Sequence, residues 1–142
     1  MKKTLSIIIP AYNESERLGA SLQEVLEYIQ SSKLEAELIV VDDGSKDNTA
    51  EIARKICGNF PDIESKVIRY EENRGKGFAV KTGFLAASGD IALFSDADLS
   101  SPISELHKLI EPIKIGKVDV AFGSRALDRS LIGIHQPWRR EQ

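Results

Sequence analysis

Asp96 and Asp98 stand one residue apart in Ser95-Asp96-Ala97-Asp98-Leu99-Ser100, directly after the apolar run Ile91-Ala92-Leu93-Phe94. That run reads as a buried strand. Two carboxylates at the exit of a buried strand are costly to desolvate unless a cation or hydrogen bonds compensate them. A hard divalent cation, Mg2+ or Mn2+, does this with a few carboxylate oxygens and completes its shell with water and substrate phosphates. The pair therefore reads as a metal–diphosphate clamp. An acidic turn explains the triplet better when it is taken alone; the remaining chain reverses that preference.

Other polar groups fall at comparable places. Asp42 and Asp43 close the run Glu37-Leu38-Ile39-Val40-Val41. A carboxylate there can accept hydrogen bonds from a base N–H or from ribose hydroxyls. A helix cap or turn is the alternative, and Ser45 and Asp47 are the residues expected to fill it. Pro10 and Tyr12 could form a flat wall for a base, with Glu14 reaching a ribose. Gly75-Lys76-Gly77 offers a mobile cation and backbone donors at a helix start, as a phosphate cradle would. It is neither a Walker loop nor a G-x-G-x-x-G turn after the first strand. Arg125 could meet a phosphate bidentately. There is no H-E-x-x-H, Cys/His cluster or G-x-S-x-G, so His107 and His135 are read as non-catalytic. Trp138-Arg139-Arg140 combines an aromatic with two cations, as a membrane edge, an anion site or an exposed helix end would.

These groups need a frame, and the apolar pattern supplies one. Leu5–Pro10 is a β-branched run expected for a strand covered on both faces. Asn13 and Glu16 have capping-box spacing before Leu18, Leu22, Val25, Leu26 and Ile29, an amphipathic helix ended by Ser31-Ser32-Lys33. A second strand follows at residues 37–41. A helix with Ile52, Ala53, Ile56 and a core Cys57 comes next, stopped by Gly58-Asn59 and Pro61. Lys66–Tyr70 alternates as a more exposed strand. Val80, Gly83, Phe84 and Ala87 stripe a third helix, and Ser88-Gly89-Asp90 turns into the fourth strand. Pro102 opens a further helix with Ile103, Leu106, Ile110 and Ile113. Val118–Phe122 is a fifth strand, stopped by Gly123-Ser124-Arg125, and from Ala126 onward no element is expected. Alternating strands and helices predict an α/β, Rossmann-like, mostly parallel sheet flanked by helices. Ligands of such sheets bind at the carboxyl ends of the strands, where each polar group above falls.

The bulk numbers agree. The 142 residues suffice for one domain with a real core, and 42% hydrophobic with 29% charged residues is a globular composition. The net charge of −3 implies no basic surface for nucleic acid. The lone Cys57 rules out an internal disulfide. No run reaches the length of a signal h-region or membrane span, which makes the cytoplasm the default location.

Pro10-Ala11-Tyr12-Asn13-Glu14, Val41-Asp42-Asp43-Gly44-Ser45 with Asp47 and Thr49, Asn73-Arg74-Gly75-Lys76-Gly77, Ser88-Gly89-Asp90 and Asp96-Ala97-Asp98 stand in the order of the family-two inverting glycosyltransferases. The pattern resembles the branch that transfers a hexose from a nucleotide sugar to dolichyl or another polyprenyl phosphate. Gly123-Ser124-Arg125 fits that branch, and Gln136-Pro137-Trp138-Arg139-Arg140 is most similar to its dolichyl-phosphate β-glucosyltransferases. The resemblance implies a GT-A fold. Pro10, Tyr12, Glu14, Val41 and Asp43 would hold the nucleoside. Asp96 and Asp98 would hold metal and diphosphate, with Lys76 and Arg125 near the phosphates or acceptor. It implies a nucleoside diphosphate sugar as donor, with UDP-glucose favoured. It also implies a polyprenyl-phosphate acceptor at the cytoplasmic face of a membrane. Family members run well past residue 142, so residues 1–142 are expected to be a donor half, truncated before an acceptor-side segment. An apolar face left open by that cut would favour homo-oligomers.

Transfer to a phosphate oxygen needs no strong general base, because a phosphate monoester with a second pKa near 6 is mostly dianionic at neutral pH. Transfer to a sugar hydroxyl would need a base carboxylate. A nucleotidyltransferase should carry a glycine- and basic-rich loop after the first strand, where this chain has Ala11-Tyr12-Asn13-Glu14. A nucleotide-sugar-binding module without turnover is the non-enzymatic alternative.

Overall fold

The computed structural model describes residues 5–95, 120–123 and 131–135. Strands β1 (Leu5–Ala11), β2 (Ala36–Asp43), β3 (Glu64–Tyr70) and β4 (Ile91–Phe94) alternate with helices α1 (Leu18–Ser32), α2 (Thr49–Gly58) and α3 (Lys76–Ala86). Two further strands follow, β5 (Val120–Gly123) and β6 (Leu131–His135). They form one sheet in the order β3-β2-β1-β4-β6-β5. β1 to β4 are parallel; β6 runs antiparallel to both β4 and β5. The expected doubly covered, mostly parallel α/β sheet is what forms.

Every residue of β1 and β2 is buried. Successive strand side chains point to opposite faces, so these strands feed two cores. Leu5, Ile7, Ile9, Leu38 and Val40 face α1 and α2, against Leu18, Leu22, Leu26 and Ala53. Ile8, Ile39 and Val41 face α3, against Ala79, Phe84 and Ala87. Each fully buried aliphatic side chain contributes roughly 1.5–3 kcal/mol. α3 lies tight on the sheet because Gly83 lacks a side chain: a Cβ there would stand 2.5 Å from Ile8 Cγ2. α1 ends as anticipated, at Lys33 in the left-handed region (φ 57°) with its N–H on the Ile29 carbonyl.

Three expectations need correction. The tail after Ala126 is not without structure: Leu131–His135 forms β6, between β4 and β5, and takes in His135. Its partner β4 is remote in sequence, and Gly133 interrupts the apolar run, so no local periodicity announces it. Asn13 and Glu16 make no capping box; the residue ahead of α1 is Arg17, without a side-chain cap. Asn13 instead adopts φ 52° and binds across to another loop. Asp47 does serve the start of α2, accepting from the Thr49 N–H at 3.0 Å and from the Thr49 hydroxyl. Ser45 does not cap; its hydroxyl oxygen accepts from the Asn13 N–H at 2.8 Å.

At the amino ends of the strands sits a buried charge. Glu37 is fully covered, and its Oε2 accepts from the Ser6 hydroxyl (2.6 Å), the Ser88 N–H (2.6 Å) and the Ser88 hydroxyl (2.9 Å). The Gly89 N–H donates to Ser6 Oγ at 2.9 Å, and Lys66 Nζ stands 3.6 Å from Glu37 Oε1. Burial alone would raise the Glu37 pKa; the hydrogen bonds from Ser6 and Ser88, with the Lys66 charge, outweigh it and hold it below the ordinary glutamate value. The Ser88-Gly89 turn thus secures the sheet end remote from the polar loops.

Candidate active site

At the opposite, carboxyl end, two loops are laced together. The loop after β1 donates the Asn13, Glu14 and Ser15 N–H groups to Ser45 Oγ, Thr49 Oγ1 and Asp47 Oδ2. In return the Lys46 N–H donates to Asn13 Oδ1 at 2.9 Å. Tyr12, 42% exposed, stands beside this lacing as an open aromatic face. Glu14 is half-buried and accepts two hydrogen bonds from the Arg17 guanidinium, at 2.9 and 2.5 Å. Pro10 and Val41 lie beneath, buried; Val41 belongs to the core facing α3.

The paired aspartates divide their work. Asp42 Oδ1 accepts from the Ser45 N–H at 2.9 Å, shaping the turn, and Oδ2 faces Arg69 Nε at 3.5 Å. Asp43 reaches the glycine-rich basic loop. Its Oδ2 accepts from Asn73 Nδ2 (2.8 Å) and the Gly75 N–H (2.9 Å), and its Oδ1 from the Arg74 N–H (2.8 Å). A carboxylate offers about four lone-pair sites, and these three bonds occupy three of them on a buried side chain. Gly44 makes this approach feasible: at φ 72°, a Cβ would meet Asn73 N and Glu72 C at 2.6 Å.

The loop that Asp43 holds delivers two cations. Lys76 opens α3, its ammonium 5.5 Å from the centroid of the Phe94 ring at the end of β4. Arg74 stacks over Phe78 at 5.2 Å, and Phe78 meets Tyr70 edge-on at 5.3 Å. The Tyr70 hydroxyl is buried and forms no hydrogen bond. Burial first, then the neighbouring Asp43 carboxylate, push its phenol far above the ordinary tyrosine range.

Tyr12, Glu14, Asp43 and Lys76 thus gather at the carboxyl ends of β1, β2 and β4. Asp96, Asp98 and Arg125 lie outside the described residues, as do His107, Trp138 and the helix expected after Pro102. Ser95 is described: it is buried, and its N–H continues the β1–β4 ladder onto the Ile8 carbonyl at 2.9 Å. Among the described residues no cluster of His, Cys, Asp and Glu could hold a metal ion. The sequence did not reveal that Asp43 binds the 73–75 loop, because the two segments are some thirty residues apart in the chain.

Residues 6–134 match the family model described as Glycosyl transferase family 2. The chain belongs to glycosyl transferase family 2. Among its curated relatives is a dolichyl-phosphate beta-glucosyltransferase of Saccharomyces cerevisiae, 38% identical over 136 residues, covering 86% of this chain and 41% of that protein. A dolichol-phosphate mannosyltransferase of Pyrococcus furiosus is 43% identical over 121 residues, covering 85% of this chain and 33% of that one. The chain thus spans about two fifths or less of the length of these relatives. In structure, a mannosyltransferase of Pyrobaculum calidifontis, solved with GDP-mannose and Mn2+, superposes with a TM-score of 0.81 at 21% identity. That match covers 99% of this chain and 47% of that one and establishes a shared fold. Among the described residues no helix is long and apolar enough to cross a membrane.

Proposed function

We propose that this family 2 domain binds a nucleoside diphosphate sugar, UDP-glucose in the favoured reading, and transfers its hexose with inversion to a polyprenyl phosphate. The gathering of Tyr12, Glu14, Asp43 and Lys76 at one end of the parallel strands carries the reading. The dolichyl-phosphate beta-glucosyltransferase relatives support its donor and acceptor classes.

Tyr12 presents an aromatic face to the base, Glu14 a carboxylate to the ribose, and Asp43 its remaining Oδ1 lone pair to a nucleoside N–H or hydroxyl. Pro10 and Val41 support that wall from beneath. Lys76, with Arg125, is assigned to the phosphates or acceptor. The donor set at Asp96 and Asp98 is of the right kind for a divalent cation, two carboxylates one residue apart beyond a ladder closed at Ser95. Such a cation, Mg2+ or Mn2+, supplies Lewis-acid compensation of the charge on the departing diphosphate. An acceptor phosphate oxygen attacks the sugar's anomeric carbon as the bond to the diphosphate breaks. That dianionic oxygen needs no protein base.

The Pyrococcus relative favours a second reading, a mannosyl donor, for which GDP-mannose is the probe. Calorimetry with UDP-glucose and GDP-mannose, each with and without Mn2+, tests both. Mn2+-dependent binding of UDP-glucose is expected. Binding of GDP-mannose alone would move the assignment to the mannosyl reading, and binding of neither would overturn the donor site.

A further inference from the structure

We infer that Arg69 is a positioning residue of the nucleotide site: from β3 it braces the Asp42–Ser45 turn, and through that turn the loop that carries Tyr12 and Glu14. The inference rests on the donor reading above. Asp42 is fully buried, and its Oδ1 accepts from the Ser45 N–H at 2.9 Å. Its Oδ2 is buried too and accepts no hydrogen bond from a described residue. The cation that faces this orphaned oxygen is Arg69, with Nε 3.5 Å away. The same guanidinium donates from Nη2 to the Ser45 carbonyl at 3.1 Å. Arg69 therefore holds both ends of the turn. Its Nη1 stands 3.3 Å from Glu71, but that carboxylate is 89% exposed, so the contact contributes little.

The proposed site is built on this turn. Ser45 Oγ accepts the Asn13 N–H, and the Lys46 N–H donates back to Asn13 Oδ1, so the residue between Tyr12 and Glu14 is tied to the turn from both directions. On its other side Gly44 lies against the backbone of Glu71, Glu72 and Asn73, ahead of the groups that bind Asp43. Arg69 thus stands where the loops after β1, β2 and β3 converge. A buried carboxylate that loses its cation is strongly unfavourable. Without Arg69, Asp42 should turn toward water and carry Ser45 and Asn13 with it. Tyr12 and Glu14 would then shift, while the two cores on either side of the sheet keep the chain folded. The requirement is for a guanidinium, whose fork serves two divergent acceptors; an ammonium is a single point charge.

The test is calorimetry of the full chain with UDP and Mn2+, under conditions where urea unfolding shows each protein to be folded. Arg69→Met, which keeps the stem and removes the charge, should weaken UDP about fivefold or more. Adding Asp42→Asn removes the stranded charge and leaves an acceptor for the Ser45 N–H. The double variant Arg69→Met/Asp42→Asn should therefore recover a large part of the lost affinity, which a merely structural role for Arg69 does not predict. Arg69→Lys should fall between parent and Arg69→Met, and it serves if Arg69→Met does not fold. Glu37→Gln, destabilised at the opposite end of the strands, should bind UDP as the parent does. Parent affinity in the folded Arg69 variants, or a loss that Asp42→Asn leaves unchanged, overturns the inference. So does an equal loss in Glu37→Gln, since affinity would then follow overall stability. A parent chain that binds no UDP overturns the donor reading itself, and this role for Arg69 with it.

Discussion

Asp43 and Asn73 clasp each other twice: Asn73 Nδ2 donates to the Asp43 carboxylate at 2.8 Å and to the Asp43 carbonyl at 3.2 Å. With the Arg74 and Gly75 N–H groups on the same carboxylate, the end of β2 fixes where α3 begins. Asp43 therefore has a structural duty alongside its proposed contact with the nucleoside. Hydrogen bonds to a charged group are worth roughly 1.5–3 kcal/mol each, with less than additive loss when one residue removes several. Asp43→Ala should cost about 3 kcal/mol in urea unfolding and weaken UDP binding by at least about tenfold. Asn73→Ala should cost less and weaken UDP less. Wild-type stability in Asp43→Ala would show that the loop is held by something else.

Gly44 and Gly75 both have positive φ but differ in surroundings. Around Gly75 (φ 98°) a Cβ would meet nothing within 4 Å, whereas at Gly44 it would strike the backbone of Glu72 and Asn73. Gly75→Ala should cost only conformational strain, about 1–3 kcal/mol. Gly44→Ala adds a steric conflict with main chain that cannot rotate away, and should be the more destabilising of the two in thermal melts. The reverse order would contradict the packing described.

Glu37 sets an acid limit on stability. Its folded pKa lies below its unfolded one, so between the two values the unfolded chain binds more protons. Its contribution is fully present above the ordinary glutamate pKa of about 4.3 and is lost as pH falls through the lower folded value. Glu37→Gln should be destabilised near neutrality, by about 2–4 kcal/mol, with a flatter stability profile below pH ~4.5. A parallel profile for variant and parent would assign the acid sensitivity elsewhere.

Much of the frame was legible because its causes are local. The β-branched runs of β1 and β2 and the 3.6-residue spacing of α1 need no knowledge of partners. What escaped was decided across distance. Asn13 has capping-box spacing, yet Ser45 and Lys46 draw it into a cross-loop lacing. Glu37 reads as one more residue of a buried strand, and the arrival of Ser6, Ser88 and Lys66 explains how its charge is tolerated. The residues proposed for the donor side are named from their position at strand ends. That Asp42 serves its own turn while Asp43 serves a remote loop could not, since two adjacent aspartates look alike in sequence.

The clamp assignment has a direct test. Asp98→Ala should lose the Mn2+-dependent gain in UDP-glucose affinity and melt at the parent temperature or slightly above, because paired carboxylates repel without a cation. Retained Mn2+ dependence would remove Asp98 from the metal site.

Tyr70→Phe probes the buried hydroxyl. Deleting a buried polar group that lacks a partner is neutral or favourable, so stability should hold or rise by up to about 1 kcal/mol. The ring contact with Phe78 remains. A loss above about 1 kcal/mol would mean that the hydroxyl is bonded in solution.

The position of β6 bears on the order in which the molecule can be assembled during synthesis. β1, β2 and β3 are joined by neighbouring crossovers, β4 returns past them to pair with β1, and all four can pair as they leave the ribosome. β5, though translated next, has no seat of its own, because among the described residues its partner in the sheet is β6. Until residues 131–135 emerge, the outer rim of β4 offers unpaired backbone groups to any passing strand. A nascent chain stalled in this interval would be open to chaperone capture or to mispairing with another copy. Five late residues close that window for two strands at once.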